Sequence, residues 1–260
     1  MLKAFTGDNR FTNLRRFNIV AGIAHAIQVV LMLVLANDQT FPITTAFLEF
    51  NENTQTLLPA QDTLFDLPLV YLVASFSALS AIAHFIIAFP AYDWYVQSLE
   101  KRRNPARWIE YAFSSSIMIV VIAILFGVYN IATLVAIVGA NAAMNLFGWD
   151  MELLNDQESD NIDWKPFIFG SIIGLIPWIT LGIYFVGTIN GNEVPAFVFT
   201  IFILVFVSFN VFAINMWLQY KKVGPWKHYL FGEATYIILS LVAKSILAWQ
   251  VYGGALNQPV

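Results

Sequence analysis

The chain has 260 residues, of which 58% are hydrophobic and only 12% charged, about half the charge of an ordinary soluble domain. A net charge of −4 with 13 lysines and arginines supplies no basic stripe for nucleic acid, and the absence of cysteine excludes disulfides, thiolate metal sites and thiol catalysis. Such a composition belongs in a lipid bilayer, whose hydrocarbon core takes about 20 apolar residues per helix.

The first span is expected at 17–37. It carries His25, nine residues after Arg16. The loop 38–66 holds two β-prone stretches, "FPITTAFLEF" and "TQTLL", around the turn-like "NEN", and predicts a small β-hairpin. Its apolar side chains make it either a homodimer contact or a flap folded onto its own helices. The second span, 67–92, carries His84 nine residues before Asp93. At 1.5 Å per residue both histidines lie about 13 Å in from the same end, so on adjacent helices they can meet. Each can instead bond a neighbouring carbonyl. Two histidines are half a metal ligand set, and no metal site is expected.

In "RRNPARW" Asn104 reads as a helix N-cap and Pro105 as the first helical residue. The third span, 108–128, opens with Glu110. Gly127 and Asn130 in "FGVYNIA" separate it from the fourth, 131–151, which carries Asn141 and Met144 and is followed at once by Glu152. After the acidic loop "DQESDNID" comes the fifth span, 166–188, with Pro177 and Trp178. The sixth, 195–220, sets Phe199, Phe202, Phe206 and Phe209 at spacings of 3, 4 and 3, one stripe of a helix. The seventh, 229–253, contains Glu233, Ser240 and Lys244. Apart from Lys244, every lysine and arginine precedes the first span or lies between spans 2 and 3, 4 and 5, or 6 and 7. This one-sidedness predicts a multi-pass protein of the cell membrane with a cytoplasmic N-terminus and an extracellular C-terminus.

Lys244 is the residue that demands a reason, because a lysine at the centre of a membrane helix costs roughly 2.5–3.5 kcal/mol on insertion scales. Ser240 lies one turn before it on the same face, but no carboxylate does. A countercharge must come from another helix. Glu110 is the best candidate; its other reading is an interfacial residue at a helix start, beside Arg107. Burial disfavours the charged form of an amine, and a neutral amine condenses with an aldehyde. A covalently held apolar aldehyde would explain the lysine. Trp178, Asn141, Met144 and the aromatic stripe could wall its slot, although such a stripe is ordinarily packing or lipid contact. With the two histidines, Arg107, Glu110 and Glu233 suggest a polar cavity in the cytoplasmic half. One distance is awkward. Lys244 is 15 residues past Tyr229 but Glu110 only five past Pro105, a mismatch on the order of 15 Å along the axis. Either the third helix starts well inside the boundary, with Arg107 drawn into the cavity, or the seventh projects beyond it.

"RWIEYAFSSSIM", "LSLVAKSILAWQVYGG", the paired histidines, the long external first loop and the cytoplasmic N-terminus together resemble the heliorhodopsins, retinal-binding microbial rhodopsins of inverted orientation. The resemblance covers essentially the whole chain and implies a single domain, an all-α membrane bundle of seven transmembrane helices. It implies all-trans retinal on Lys244 as a protonated Schiff base with Glu110 as sole counterion. Ser240, Ser80, Ser115, His25 and His84 then belong to the Schiff-base region and its polar network, Asn141, Met144 and Phe209 line the chromophore, and Glu152 and Glu233 extend the network. A homodimer with a slow photocycle and a cytoplasmic signalling partner follows from the same likeness. Pumping rhodopsins place further carboxylates where this chain has Val121 and Ser240, so the expected function is a light sensor that is neither an enzyme nor a pump. A light-driven proton transporter or light-gated channel is the alternative.

Overall fold

A computed structural model of the protein describes residues 2–189 and 196–257. Pro195, the expected start of the sixth span, and residues 258–260 of the expected external tail lie outside the described residues. Lipid offers no partner to backbone N–H and C=O groups, so apolar segments of this length close their hydrogen bonds within helices. Among the described residues seven helices are long and apolar enough to cross a membrane. They are α1 (Arg10–Leu35), α2 (Leu69–Ala88), α4 (Pro105–Leu125), α5 (Ile131–Leu154), α6 (Lys165–Ile189), α7 (Ala196–Tyr220) and α8 (Tyr229–Val251); a short helix, α3 (Tyr92–Glu100), joins α2 to α4. A π-helical turn, Tyr252–Leu256, prolongs α8.

Between α1 and α2 the expected hairpin is present, as β1 (Thr40–Asn51) paired antiparallel with β2 (Thr56–Pro68), with a register shift at Ile43/Thr44. β2 is much longer than "TQTLL" suggested, because its alternation is blurred by Pro59 and two aspartates. A two-stranded hairpin is marginal alone; this one is anchored at its base. The Thr44 N–H donates to the Tyr129 carbonyl at 2.9 Å and Thr44 bridges Asn130. Ile43 is buried, Phe41 stacks on Tyr129, and the Asn37 N–H donates to the Leu256 carbonyl at 2.9 Å. Burial raises the Tyr129 phenol above its ordinary pKa. Further out, Phe47, Leu48, Phe50, Leu57 and Leu58 are exposed.

The second span is shorter than expected. Pro90 cannot continue a helix and forces its predecessor out of the helical region; Phe89 sits at φ −122°, ψ −87°. The chain turns and resumes as α3, which, apart from Tyr92, lies beyond the expected span in a stretch for which no element was expected. Tyr95 and Leu99 are the buried residues of α3, and Asp93, Trp94, Gln97 and Glu100 are exposed.

α4 runs through the middle of the bundle. Asn104 caps it as expected, its Oδ1 accepting from the Arg107 N–H at 3.1 Å with Pro105 at the first turn. Gly127, at φ +85°, ends the α4–α5 turn, and the Asn130 side chain caps α5 by accepting from Ala132 and Thr133. In the hairpin half, Ile119, Val121 and Ile122 of α4 pack with Phe76 of α2 and Leu247, Ala248 and Val251 of α8 in a fully apolar core. At the other end Asn104 is only 4% exposed, so α4 begins inside the protein, beneath α3. That start takes up part of the depth mismatch, since Asn104 meets Glu233 one turn into α8, and the reach of the Lys244 side chain to Glu110 spans the rest.

Candidate functional site

Lys244 is 2% exposed and reaches across from α8 to α4. Its Nζ donates to Glu110 Oε1 at 3.1 Å and to Ser240 Oγ at 2.7 Å. The same carboxylate oxygen accepts from Ser80 Oγ of α2 at 2.6 Å. The amine also stands 5.4 Å from the centre of the Tyr111 ring, one residue past Glu110. Three helices therefore converge on one buried ion pair. Isolated charges here would be expensive, but a paired and hydrogen-bonded couple is tolerated.

On one side of the lysine lies an apolar cavity of about 440 Å³ between α4, α5, α6, α7 and α8. Met118, Met144, Trp178, Phe206, Phe209 and Phe212 form much of its wall, and Lys244 and Ser240 close one part of it. Trp178 meets Phe206 and Phe209 edge-on at 5.0 and 5.5 Å between centroids, the geometry that ring quadrupoles favour. Two glycines set the width. A Cβ on Gly148 would strike the Trp108 ring, and one on Gly174 would strike the Met144 sulfur.

On the other side the surroundings are polar. His25 and His84 stack with centroids 5.7 Å apart, and His84 Nδ1 pairs with Asn18 Oδ1 at 2.8 Å. Neither ring nitrogen of His25 has a hydrogen-bond partner among the described residues. One turn before Glu110, Arg107 is 7% exposed and bonds Glu152 of α5 through Nη2 and Glu233 of α8 through Nη1. The remaining carboxylate oxygens accept from Asn104, Glu152 from its backbone N–H and Glu233 from its side-chain amide, each at 2.7 Å. Arg107 also lies 3.9 Å from the Tyr236 ring centre. Toward the hairpin, Gln28 links α1 to Ser77 of α2 and Ser245 of α8, both at 2.8 Å.

The sequence matches the Heliorhodopsin family over residues 14–256, nearly its whole length. The chain belongs to the heliorhodopsin family. Among curated proteins nothing matches it. Its fold is similar to the crystal structure of the transmembrane domain of Salpingoeca rosetta rhodopsin phosphodiesterase, with a TM-score of 0.59 and 11% identity over 95% of this chain and 86% of that one. At that identity the likeness shows the rhodopsin fold alone. Membership in the heliorhodopsin family implies a retinal chromophore, and the residues present fit one. The cavity lies within the roughly 300–1,000 Å³ range of small-ligand sites, its walls are apolar and aromatic, and its polar corner holds a paired amine.

Within this heliorhodopsin the residues singled out from the sequence fall into separate places. Lys244, Glu110, Ser240 and Ser80 touch one another. Met144, Trp178, Phe206, Phe209 and Ser115 line the cavity. Asn141 stands behind that wall, donating to Ser115 and Ser116 at 2.7 and 3.1 Å, while Asn145 faces the space. The phenylalanine stripe divides: Phe199 packs on Phe185, and Phe202 stacks on Phe185 while also meeting Trp178 behind the cavity wall. Sequence reading missed Met118, Phe212, Asn18, Tyr95 and Gln28. Asn18 and Gln28 could have been found as intramembrane amides two turns before and one turn after His25; Tyr95 carried no such signal.

Proposed function

We propose that the protein is a light-sensing retinal photoreceptor, a single seven-helix domain that signals with a slow photocycle and transports no ions. The observation that carries this reading is the Lys244–Glu110 pair at 3.1 Å beside an aromatic cavity of about 440 Å³. All-trans retinal, held on Lys244 as a protonated Schiff base, supplies absorption of visible light. The chain's own residues do the rest. Glu110 balances the positive charge on the lysine nitrogen, and Ser80 and Ser240 hold the carboxylate and the nitrogen in register. Trp178, Phe206 and Phe209 fix a long apolar ligand by contact and keep water from it. His25, His84 and the Arg107–Glu152–Glu233 cluster keep a proton or a charge change in the half of the bundle away from the hairpin, the half whose basic loops support a cytoplasmic orientation. On the hairpin side α4 presents Val121 and an apolar core, and the Gln28–Ser77–Ser245 contacts there contain no carboxylate or histidine, which favours a sensor over a pump. The exposed apolar hairpin supports a homodimer, and the exposed face of α3 at the opposite end supports a cytoplasmic partner.

Reconstitution with all-trans retinal tests the reading. The expected result is a visible absorption band, bleached by borohydride under illumination and missing in Lys244→Ala; a Lys244→Ala protein that still forms pigment overturns it. Illuminated cell suspensions should show no sustained, protonophore-sensitive pH change. Such a change would mean a proton transporter.

A further inference from the structure

Two buried polar groups, the Lys244–Glu110 pair and the Arg107–Glu152–Glu233 cluster, are joined along α4 by one helical turn. A second connection runs outside that helix. His84 pairs with Asn18, and the phenol of Tyr95 lies within hydrogen-bonding reach of both Asn18 and Asn104. Asn104 in turn donates to both carboxylates of the cluster. The remaining gap, between Glu110 and His84, is bordered by a cavity of about 40 Å³ lined by both residues together with Asn18, Ser80, Tyr95, Asn104, Arg107 and Glu233, large enough to hold at least one water.

Tyr95 is the only member of this chain of contacts that belongs to α3. Burial raises its phenol above the ordinary pKa, against Arg107 and in the same sense as Glu233. The hydroxyl therefore keeps its proton, and can donate to one asparagine while accepting from the other. α3 has nine residues, too few to hold a helix unaided, and Tyr95 and Leu99 are the side chains that seat it. A shift of the phenol must shift the helix.

We propose that Tyr95 is a positioning residue that transmits a change of charge at Glu110 to α3 and to the face formed by Asp93, Trp94, Gln97 and Glu100. The proposal rests on the reading of Glu110 as the counterion of a light-absorbing group on Lys244. Neutralising Glu110 weakens its hold on Ser80, one turn from His84 on α2, and loosens the His84–Asn18–Tyr95 contacts in sequence. The competing route is direct, from Glu110 to Arg107 along α4, and leaves Tyr95 out.

The test uses the full chain without retinal, in lipid nanodiscs, so its outcome is independent of whether Lys244 binds a chromophore. Backbone hydrogen exchange over residues 92–104 is compared for the wild type, Glu110→Gln, Tyr95→Phe and the double variant. Glu110→Gln is expected to speed exchange there by roughly threefold or more, and by less than about twofold in the Tyr95→Phe background. Unaltered exchange in Glu110→Gln overturns the proposal, as does an equal change in both backgrounds, which would assign the signal to Arg107. Should Tyr95→Phe fail to fold, Asn18→Ala breaks the same path and must give the same loss of coupling.

Discussion

Replacing Arg107 by leucine removes the guanidinium that Glu152 and Glu233 share. The two carboxylates are 2% and 1% exposed and lie on different helices, α5 and α8. Each keeps its bond from Asn104, but neither keeps a charge partner. Breaking a buried pair from one side costs about 3–5 kcal/mol, because a charge is left in a medium that does not solvate it. At roughly 2–4 °C per kcal/mol for a chain of this size, the unfolding midpoint should fall by about 6–20 °C. The assay is thermal unfolding of the retinal-free protein in detergent, followed by tryptophan fluorescence. Arg102→Ala provides the comparison: its partner Glu158 is exposed, and a surface pair is worth about 0–1 kcal/mol. Equal shifts in the two variants, or an Arg107→Leu midpoint within about 4 °C of the wild type, would refute the argument that the cluster is a charge-balanced buried unit.

Glu110→Gln leaves the lysine nitrogen facing no negative charge, so the reconstituted pigment should change colour and recover partly with added chloride; an unchanged spectrum removes Glu110 from the counterion role. In Gly174→Ile the new side chain meets Met144 and fills the cavity, so retinal uptake, read as visible absorbance per protein, should fall at least about tenfold while helix content is kept. Gln28→Leu strands the hydroxyls of Ser77 and Ser245 and should cost about 1–3 kcal/mol in thermal stability. Tyr95 has its folded pKa raised, so the stability it contributes is complete below the ordinary phenol value of 10.0 and lost as pH rises beyond it; Tyr95→Phe should flatten the fall in melting temperature measured above pH 10.

The long, charge-free helices, the hairpin, the Asn104–Pro105 start and the break at Gly127–Asn130 were all legible in the sequence, because each depends on local composition or capping. So was the meeting of His25 with His84, which needs only equal depth on neighbouring helices. What local signals do not carry is rotation about a helix axis. Asn141 and Asn145 are a turn apart, and only packing decides that Asn145 faces the cavity. Phe202 and Phe206 share a stripe and both meet Trp178, yet only Phe206 lines the cavity. α3 was hidden because a nine-residue stretch broken by Asp93, Gln97 and Glu100 reads as a connection between spans, and with it went Tyr95. The distance between Glu110 and Lys244 looked too great because helix starts were counted from loops taken to be at the surface, whereas α4 starts beneath α3.

The base of the hairpin laces one end of the bundle shut. Main-chain bonds fasten β1 to the α4–α5 turn and the end of α1 to the turn after α8, and such fastenings give way only with the fold itself. The opposite end is fastened by side chains, which re-pair more easily. Whatever strain begins at the lysine has a stiff wall at its back and a compliant one ahead, so the molecule is mechanically a one-ended device whose response is directed away from its sealed pole.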